Sequence, residues 1–377
     1  MTRAMDRPDE KHIYIAVPWT PLGGGMFKVA DYLIQSQAPG DGPVLRPLDT
    51  RGEGSAAASL LQVARAVGRL ARDRIAGRVA GVHVNMAERL DFVRESIVVA
   101  CCRALRIPVV LHLHAAQLHH SYRRWPGPVQ ALARWIFSLP QACVVLGKES
   151  ARFVTEELRV PAERVDIVIN GVPAPAVPRR GEERAVPRVL FVGNLSQRKG
   201  VSDLLQALAQ PALAGVPLHL TLAGGGDVEG YRQQAERLQV ADKVHFHGWA
   251  DQAQVARLLA ECDVLVLPSY DEGLPLAILE ALAHGVAVVC TPVGEIPHVL
   301  VHGRDACFVE PGDPASIARG LAMVLTQPQL RQRLEHNGKA LYEAQFSLSR
   351  FAASIGRIHQ RQFGLSAPLP APAEARA

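Results

Sequence analysis

A chain of 377 residues is too long for one ordinary core and predicts two domains. Its composition, 48% hydrophobic and 20% charged with many glycines and prolines, is globular; no apolar run is long enough to span a bilayer, and the charged start, residues 1–11, lacks a signal-peptide core. The net charge of +5 is unevenly spread, since no carboxylate lies between Glu95 and Glu149 while Arg103, Arg106, Arg123, Arg124, Arg134 and Lys148 do. Such a basic field attracts anionic lipid head groups, nucleic acid or phosphorylated substrates without distinguishing them.

Along the first half, short apolar runs alternate with amphipathic stretches, the pattern of parallel α/β units. Residues 12–17 read as a strand, followed by the glycine loop Gly23-Gly24-Gly25 and a helix over about 26–36. A helix-periodic stretch covers 57–76. Strands follow at 79–84 and 109–114 with a helix around 95–106 between them, then a strand at 142–146, a helix from Lys148 and a strand at 165–169. A proline-rich loop with a charged cluster at 179–184 then breaks the pattern and marks a boundary. Strands at 189–192, 218–222, 244–247, 264–267 and 286–290 alternate with helices near 201–209, 229–238, 251–261 and 275–284, before helices at 314–325, 329–344 and 348–363. The expected organisation is an N-terminal domain over 1–172, a linker over 173–187 and a second domain over 188–345. A helix over 346–363 packs back towards the first domain, and the Pro/Ala tail 364–377 is expected to be disordered.

The richest segment follows the strand at 264–267, where Glu272 and Glu280 bracket a short apolar run. Pro275 has a fixed φ and no N–H and suits the first turn of a helix, which reads on to His284 and stops at Gly285. Glu272 is expected in the loop as a solvated carboxylate, and Glu280 half-buried more than a turn inside the helix. Carboxylates flanking a helix N-terminus suit a ligand that combines hydroxyls with a diphosphate. Glutamates near helix starts also occur for the dipole alone, so the neighbours decide.

Those neighbours are basic and glycine-rich. The loop Gly193-Asn194-Leu195-Ser196-Gln197-Arg198-Lys199-Gly200 presents two cations at the C-terminal edge of a parallel sheet, a place for a phosphate; a solvated basic turn has the same sequence. Gly224-Gly225-Gly226 is weak by itself and fails as a dinucleotide fingerprint. His112 and His114 read as strand neighbours on opposite faces, one a core histidine and the other, His114, open to a ligand. The six cysteines lack metal-ligand spacing and read as buried thiols, no His/Cys cluster suggests zinc, and no Asp-x-Asp dipeptide offers a diphosphate-bridging metal.

Taken together, these motifs resemble the family-four retaining glycosyltransferases of the GT-B fold. The likeness rests on Gly23–Gly25, His114, Gly193 with Arg198-Lys199-Gly200, Gly224–Gly226, the run from Pro268 through Glu272 to Glu280 and Ala283, and Thr291-Pro292-Val293-Gly294. It implies an α/β architecture of two Rossmann-like domains facing across a cleft, and transfer of a hexose from a nucleotide sugar to an acceptor hydroxyl. Carried over by position, Glu272, Lys199 and His114 form the catalytic group, with Glu272 on donor-sugar hydroxyls, Lys199 on the departing diphosphate and His114 near the sugar. Gly24, Gly25, Asn194, Arg198, Gly273, Leu274, Leu276 and Glu280 bind the donor, Glu280 through the ribose. The resemblance implies no metal or other cofactor and no protein base. Two departures stand out: Asn194 occupies a place where many relatives have Arg, and Gly294-Glu295-Ile296-Pro297-His298 replaces a Gly-Gly-x-Pro-Glu pattern.

The expected acceptor is a lipid-linked glycan or oligosaccharide of bacterial cell-surface or exopolysaccharide synthesis; a soluble small acceptor and a non-catalytic nucleotide-sugar scaffold are the alternatives. The expected location is cytoplasmic. Arg123, Arg124, Trp125, Arg134 and Trp135 combine cations with indoles in a way that suits the headgroup region of an inner membrane, and equally a buried helix with arginines at its rim. Nucleic-acid binding is not expected, because the basic stretch carries no recognition element.

Overall fold

The computed structural model describes residues 11–19, 24–37, 42–115, 117–179 and 185–365. Gly23, most of the charged cluster at 179–184 and the tail from 366 lie outside the described residues. The chain divides into two compact units, one formed by Met1–Asn170 with Leu348–Ala377, the other by Gly171–Ser347.

The first unit is a six-stranded sheet: β1 (His12–Val17), β2 (Val44–Asp49), β3 (Val79–Met86), β4 (Val109–Leu113), β5 (Ala142–Val145) and β6 (Val165–Ile167). All neighbours are parallel, in the order β2-β1-β3-β4-β5-β6. Every residue of β1, β4 and β5 is buried, as expected of strands covered by helices on both faces. The helices are α1 (Gly25–Gln35), α2 (Ala56–Ile75), α3 (Leu90–Ala104), α4 (Leu118–Arg124), α5 (Gly127–Ser138) and α6 (Lys148–Arg152). β2 escapes the sequence pattern because it is an edge strand, half-buried and interrupted by Arg46 and Pro47.

The C-terminal helix, Leu348–Phe363, packs on β3 and β4 of this unit. A Cβ on Gly81 of β3 would stand 2.5 Å from the Phe363 ring, so the absent side chain is what lets the helix end lie on the sheet. Arg361 adds an ion pair to Asp166 of β6.

In the second unit the strands are β7 (Arg188–Val192), β8 (His219–Ala223), β9 (Val244–Gly248), β10 (Val264–Leu267), β11 (Ala287–Cys290) and β12 (Cys307–Phe308). They form a second parallel sheet in the order β12-β11-β10-β7-β8-β9. Among the described residues, α7 (Val201–Leu208), α8 (Val228–Arg237), α9 (Gln252–Glu261), α10 (Leu276–Ala283) and α11 (Ile296–Val299) connect them, and α12 (Pro314–Thr326) and α13 (Pro328–Leu341) follow the last strand. Their starts follow capping chemistry: Asp251 and Gln254 make a reciprocal capping box on α9, and Asp313 accepts from two amides of α12.

Residues 173–179, read from their prolines as linker, fall within the second unit. Val172 N–H donates to Phe346 O at 3.0 Å, and the Arg179 guanidinium donates to Gly285 O at 2.6 Å and to Glu335 at 2.9 Å. Arg179 thereby caps the carboxyl end of α10, where a cation complements the helix dipole. Five cysteines are buried and Cys101 is half-buried, all as free thiols. No helix among the described residues is long and apolar enough to cross a membrane.

Candidate functional site

In an open parallel sheet, ligands bind beyond the carboxyl ends of the strands, at the point where strand order reverses. In the second unit that point lies between β7 and β10, and the loops leaving these two strands carry the basic run and the carboxylate run. Lys199 Nζ donates to Glu272 Oε1, which also accepts from Ser269 Oγ at 2.7 Å. Arg198 donates to Asp271 O at 2.7 Å and approaches the second Glu272 oxygen at 3.8 Å.

Glu272 is therefore not the solvated carboxylate expected from its loop position; its side chain is 7% exposed, against 14% for Lys199 and 43% for Arg198. Burial is tolerable because a cation and a hydroxyl satisfy the charge that leaves water. Ser269 is held in turn by Thr291, whose hydroxyl donates to Ser269 O at 2.5 Å. Gly294 lies under the same loop at φ +57, where a Cβ would sit 1.9 Å from Glu272 O, and Glu295 N–H donates to Gly273 O at 3.1 Å. The Gly294-Glu295 departure thus buttresses the Glu272 loop. Ser269, Thr291 and Gly294 were not singled out individually from the sequence as site residues; a Ser three residues before a carboxylate was the available signal.

α10 begins at Leu276, with Pro275 extended at the cap position and no side chain capping the helix. Its first amides are thus left to a ligand or water. Leu274 and Leu276 bury their side chains, which pins the backbone, and Glu280 is 8% exposed on the helix interior. The glycines of Gly224-Gly225-Gly226 let the β8 loop lie against the β7 loop: Leu195 N–H donates to Gly225 O at 2.6 Å, and a Cβ on Gly224 or Gly226 would stand 1.8 or 2.3 Å from a backbone oxygen of Gly193 or Leu195. Asn194 is exposed on the resulting ridge.

The first unit reverses strand order between β1 and β3. Gly24 caps α1 beyond β1, and among the described residues a Cβ there would meet nothing within 4 Å; Gly25 is the exposed first residue of α1. His114 follows the last residue of β4. Its N–H donates to Met86 O at 2.8 Å, and its Nε2 lies 2.9 Å from Asn85 Oδ1. His112 and His114 do not face opposite sides. Residues two apart on a strand share a face, and the two rings are 3.9 Å apart. His112 Nδ1 lies 3.2 Å from His83 Nε2, and His83 Nδ1 lies 2.9 Å from His359 Nε2 of the C-terminal helix. Burial pushes His83 and His114 down to about 3, and His112 and His359 well below the usual histidine range, so the group is neutral.

The basic segment is only partly available. Arg123 is bound by Glu157 at 2.7 Å, Arg134 donates to Tyr122 at 2.7 Å, and Trp125 is half-buried against Phe92 and Tyr122. Arg124 and Trp135 are exposed. Sequence reading missed a larger feature: α3 packs on α5, and the two helices expose Leu90, Val93 and Ile97 together with Val129, Leu132 and Trp135. Among the described residues no group of three or more His, Cys, Asp or Glu is arranged to hold a metal.

Residues 178–341 match the family model described as Glycosyl transferases group 1. An uncharacterized glycosyltransferase of Methanocaldococcus jannaschii is 26% identical over 68% of this chain and 70% of its own length. A glycogen synthase of Mycobacterium tuberculosis is 25% identical over 69% of this chain and 65% of its own. Among solved structures, Anabaena HepE in complex with UDP-glucose covers 93% of this chain and 99% of its own, with a TM-score of 0.73 at 18% identity. That likeness establishes a shared fold.

Proposed function

We propose that this chain, a member of the glycosyl transferases group 1 family through the domain spanning residues 178–341, transfers a hexose from a nucleotide sugar to an acceptor hydroxyl with retention of configuration. The observation that carries the reading is the pairing of Lys199 with Glu272 where the strand order of the second sheet reverses. In this reading the donor diphosphate lies at the uncapped N-terminus of α10, with the backbone at Gly273, Leu274 and Leu276 around it and Asn194 on the adjoining ridge. Glu280 takes the ribose hydroxyls. Glu272 holds the Lys199 ammonium until the diphosphate arrives, then accepts from hydroxyls of the sugar. Lys199 and Arg198 balance the charge that grows on the leaving group, and such preorganised charge is usually what lowers the barrier most.

The bond from the anomeric carbon to the diphosphate oxygen breaks, a bond to the acceptor oxygen forms on the same face, and the acceptor proton passes to a leaving phosphate oxygen. Neither carboxylate has to move a proton. No metal or other cofactor enters this reading, because side-chain cations supply the positive charge. The UDP-glucose held by the Anabaena neighbour favours a UDP-sugar.

The acceptor in this reading is a lipid-linked glycan of bacterial cell-surface or exopolysaccharide synthesis, reached from the cytoplasmic side of a membrane. The exposed apolar side chains of α3 and α5 support docking in the headgroup region. The test of donor binding is thermal unfolding in the presence of UDP-, GDP- and ADP-sugars, since a ligand held only by the folded state raises the Tm. One donor class is expected to raise it, and Lys199→Ala to abolish the rise. A wild type that binds a donor yet transfers sugar to neither lipid-linked nor soluble acceptors supports the scaffold reading, which Asn194 favours.

A further inference from the structure

Asn85, near the end of β3, is 2% exposed and joins two groups. Its Nδ2 lies 3.2 Å from Ala16 O of β1, and its Oδ1 lies 2.9 Å from His114 Nε2. The orientation of this amide follows from donor and acceptor chemistry alone. A backbone carbonyl only accepts, so the nitrogen end of Asn85 has to face Ala16. The oxygen end, which also only accepts, then faces His114, and Nε2 must carry the proton. A neutral imidazole has one N–H, so Nδ1 is left with its lone pair. Among the described residues no hydrogen bond reaches that nitrogen.

The ring has little freedom to escape this arrangement. His112 packs on it at 3.9 Å with 38° between the planes, and His112 is itself held by His83 and, through His83, by His359. The backbone of His114 is fixed by its bond to Met86 O.

We propose that Asn85 is a positioning residue that fixes His114 as a hydrogen-bond acceptor at Nδ1, so that the carboxyl end of the first sheet offers a lone pair, not a proton, to a hydroxyl of a substrate bound there. The substrate in this inference rests on the transfer reading above; the tautomer does not. His114 is then neither the acid nor the base of the reaction, and it discriminates in favour of a substrate that carries a hydroxyl at the contacted carbon.

The test is a nitrogen-15 multiple-bond correlation spectrum of histidine-labelled, ligand-free protein, with His114→Ala identifying the resonances. Wild type is expected to show a protonated Nε2 and a bare Nδ1 on His114. Asn85→Leu, which removes the acceptor at similar volume, is expected to give a mixture of tautomers and to lower kcat/KM for sugar transfer about tenfold, the effect of one neutral hydrogen bond. In a His114→Ala background the same substitution is expected to have no further effect. A protonated Nδ1 in wild type overturns the proposal, and so does an Asn85→Leu loss that persists undiminished without His114. The expected tautomer in a protein that transfers no sugar supports the role of Asn85 and overturns the transfer reading instead.

Discussion

Glu272 and Glu95 show how burial decides what a carboxylate does. Glu272 is enclosed with a cation and a hydroxyl as partners, so one of its oxygens accepts two hydrogen bonds. Glu95, on α3, is fully buried and its side chain accepts, among the described residues, one hydrogen bond, from Thr50 at 2.5 Å; burial pushes it from 4.5 up to about 8 against that bond. The folded chain therefore keeps a proton that the unfolded chain releases between pH 4.5 and about 8. Its stabilisation is complete below the lower value and lost as pH rises through the upper one. Glu95→Gln cannot ionise, so its Tm should match wild type near pH 4 and exceed it by a margin that grows to about pH 8 and is level beyond. A pH-independent difference between the two melting curves would contradict this. At this scale the sequence made Glu272, Glu280, Lys199 and His114 visible because each sits in a motif beside a strand end. Asn85 and Glu95 were overlooked because a polar residue inside an apolar strand or helix carries no motif; only its partners, distant in sequence, reveal its use.

Elements were legible where both faces are buried, because continuous apolar runs such as those of β4, β10 and β11 have one reading. Two of the edge strands were not, although the edge strands β6 and β9 were. β2 is interrupted by Pro47, and β12 is two residues long, so neither produces a periodic signal. The C-terminal helix was visible as a helix, while its seat on β3 depends on a glycine far away in sequence. Gly81→Val should force the Phe363 ring from that seat and destabilise the protein by about 1–3 kcal/mol, the usual effect of overpacking. Denaturant unfolding checks it: an unchanged midpoint would mean that the helix end is not held there.

At the scale of the molecule, two Rossmann-like units of different strand order make up the GT-B fold; the second gathers its candidate residues where its sheet reverses order, while the first has Gly24 and Gly25 after β1 and His114 after β4. That placement was readable from the alternation of strands and helices; the strand order itself was not, because it depends on pairing between distant segments. The apolar face of α3 and α5 was invisible for the same reason, since the two helices are separated in sequence by β4 and α4. Docking on a membrane through this face predicts sedimentation with anionic vesicles that falls on Leu132→Ser with Trp135→Ser; a wild type that stays in the supernatant would favour a soluble acceptor. Retaining sugar transfer supported by Glu272 stands or falls on the rate and product anomer of transfer from the donor that raises the Tm, measured in wild type and in Glu272→Ala. The expected product keeps the donor's anomeric configuration, and the folded variant is expected to be slower by about a hundredfold or more; an inverted product, or a variant that transfers sugar at the wild-type rate, would contradict that mechanism.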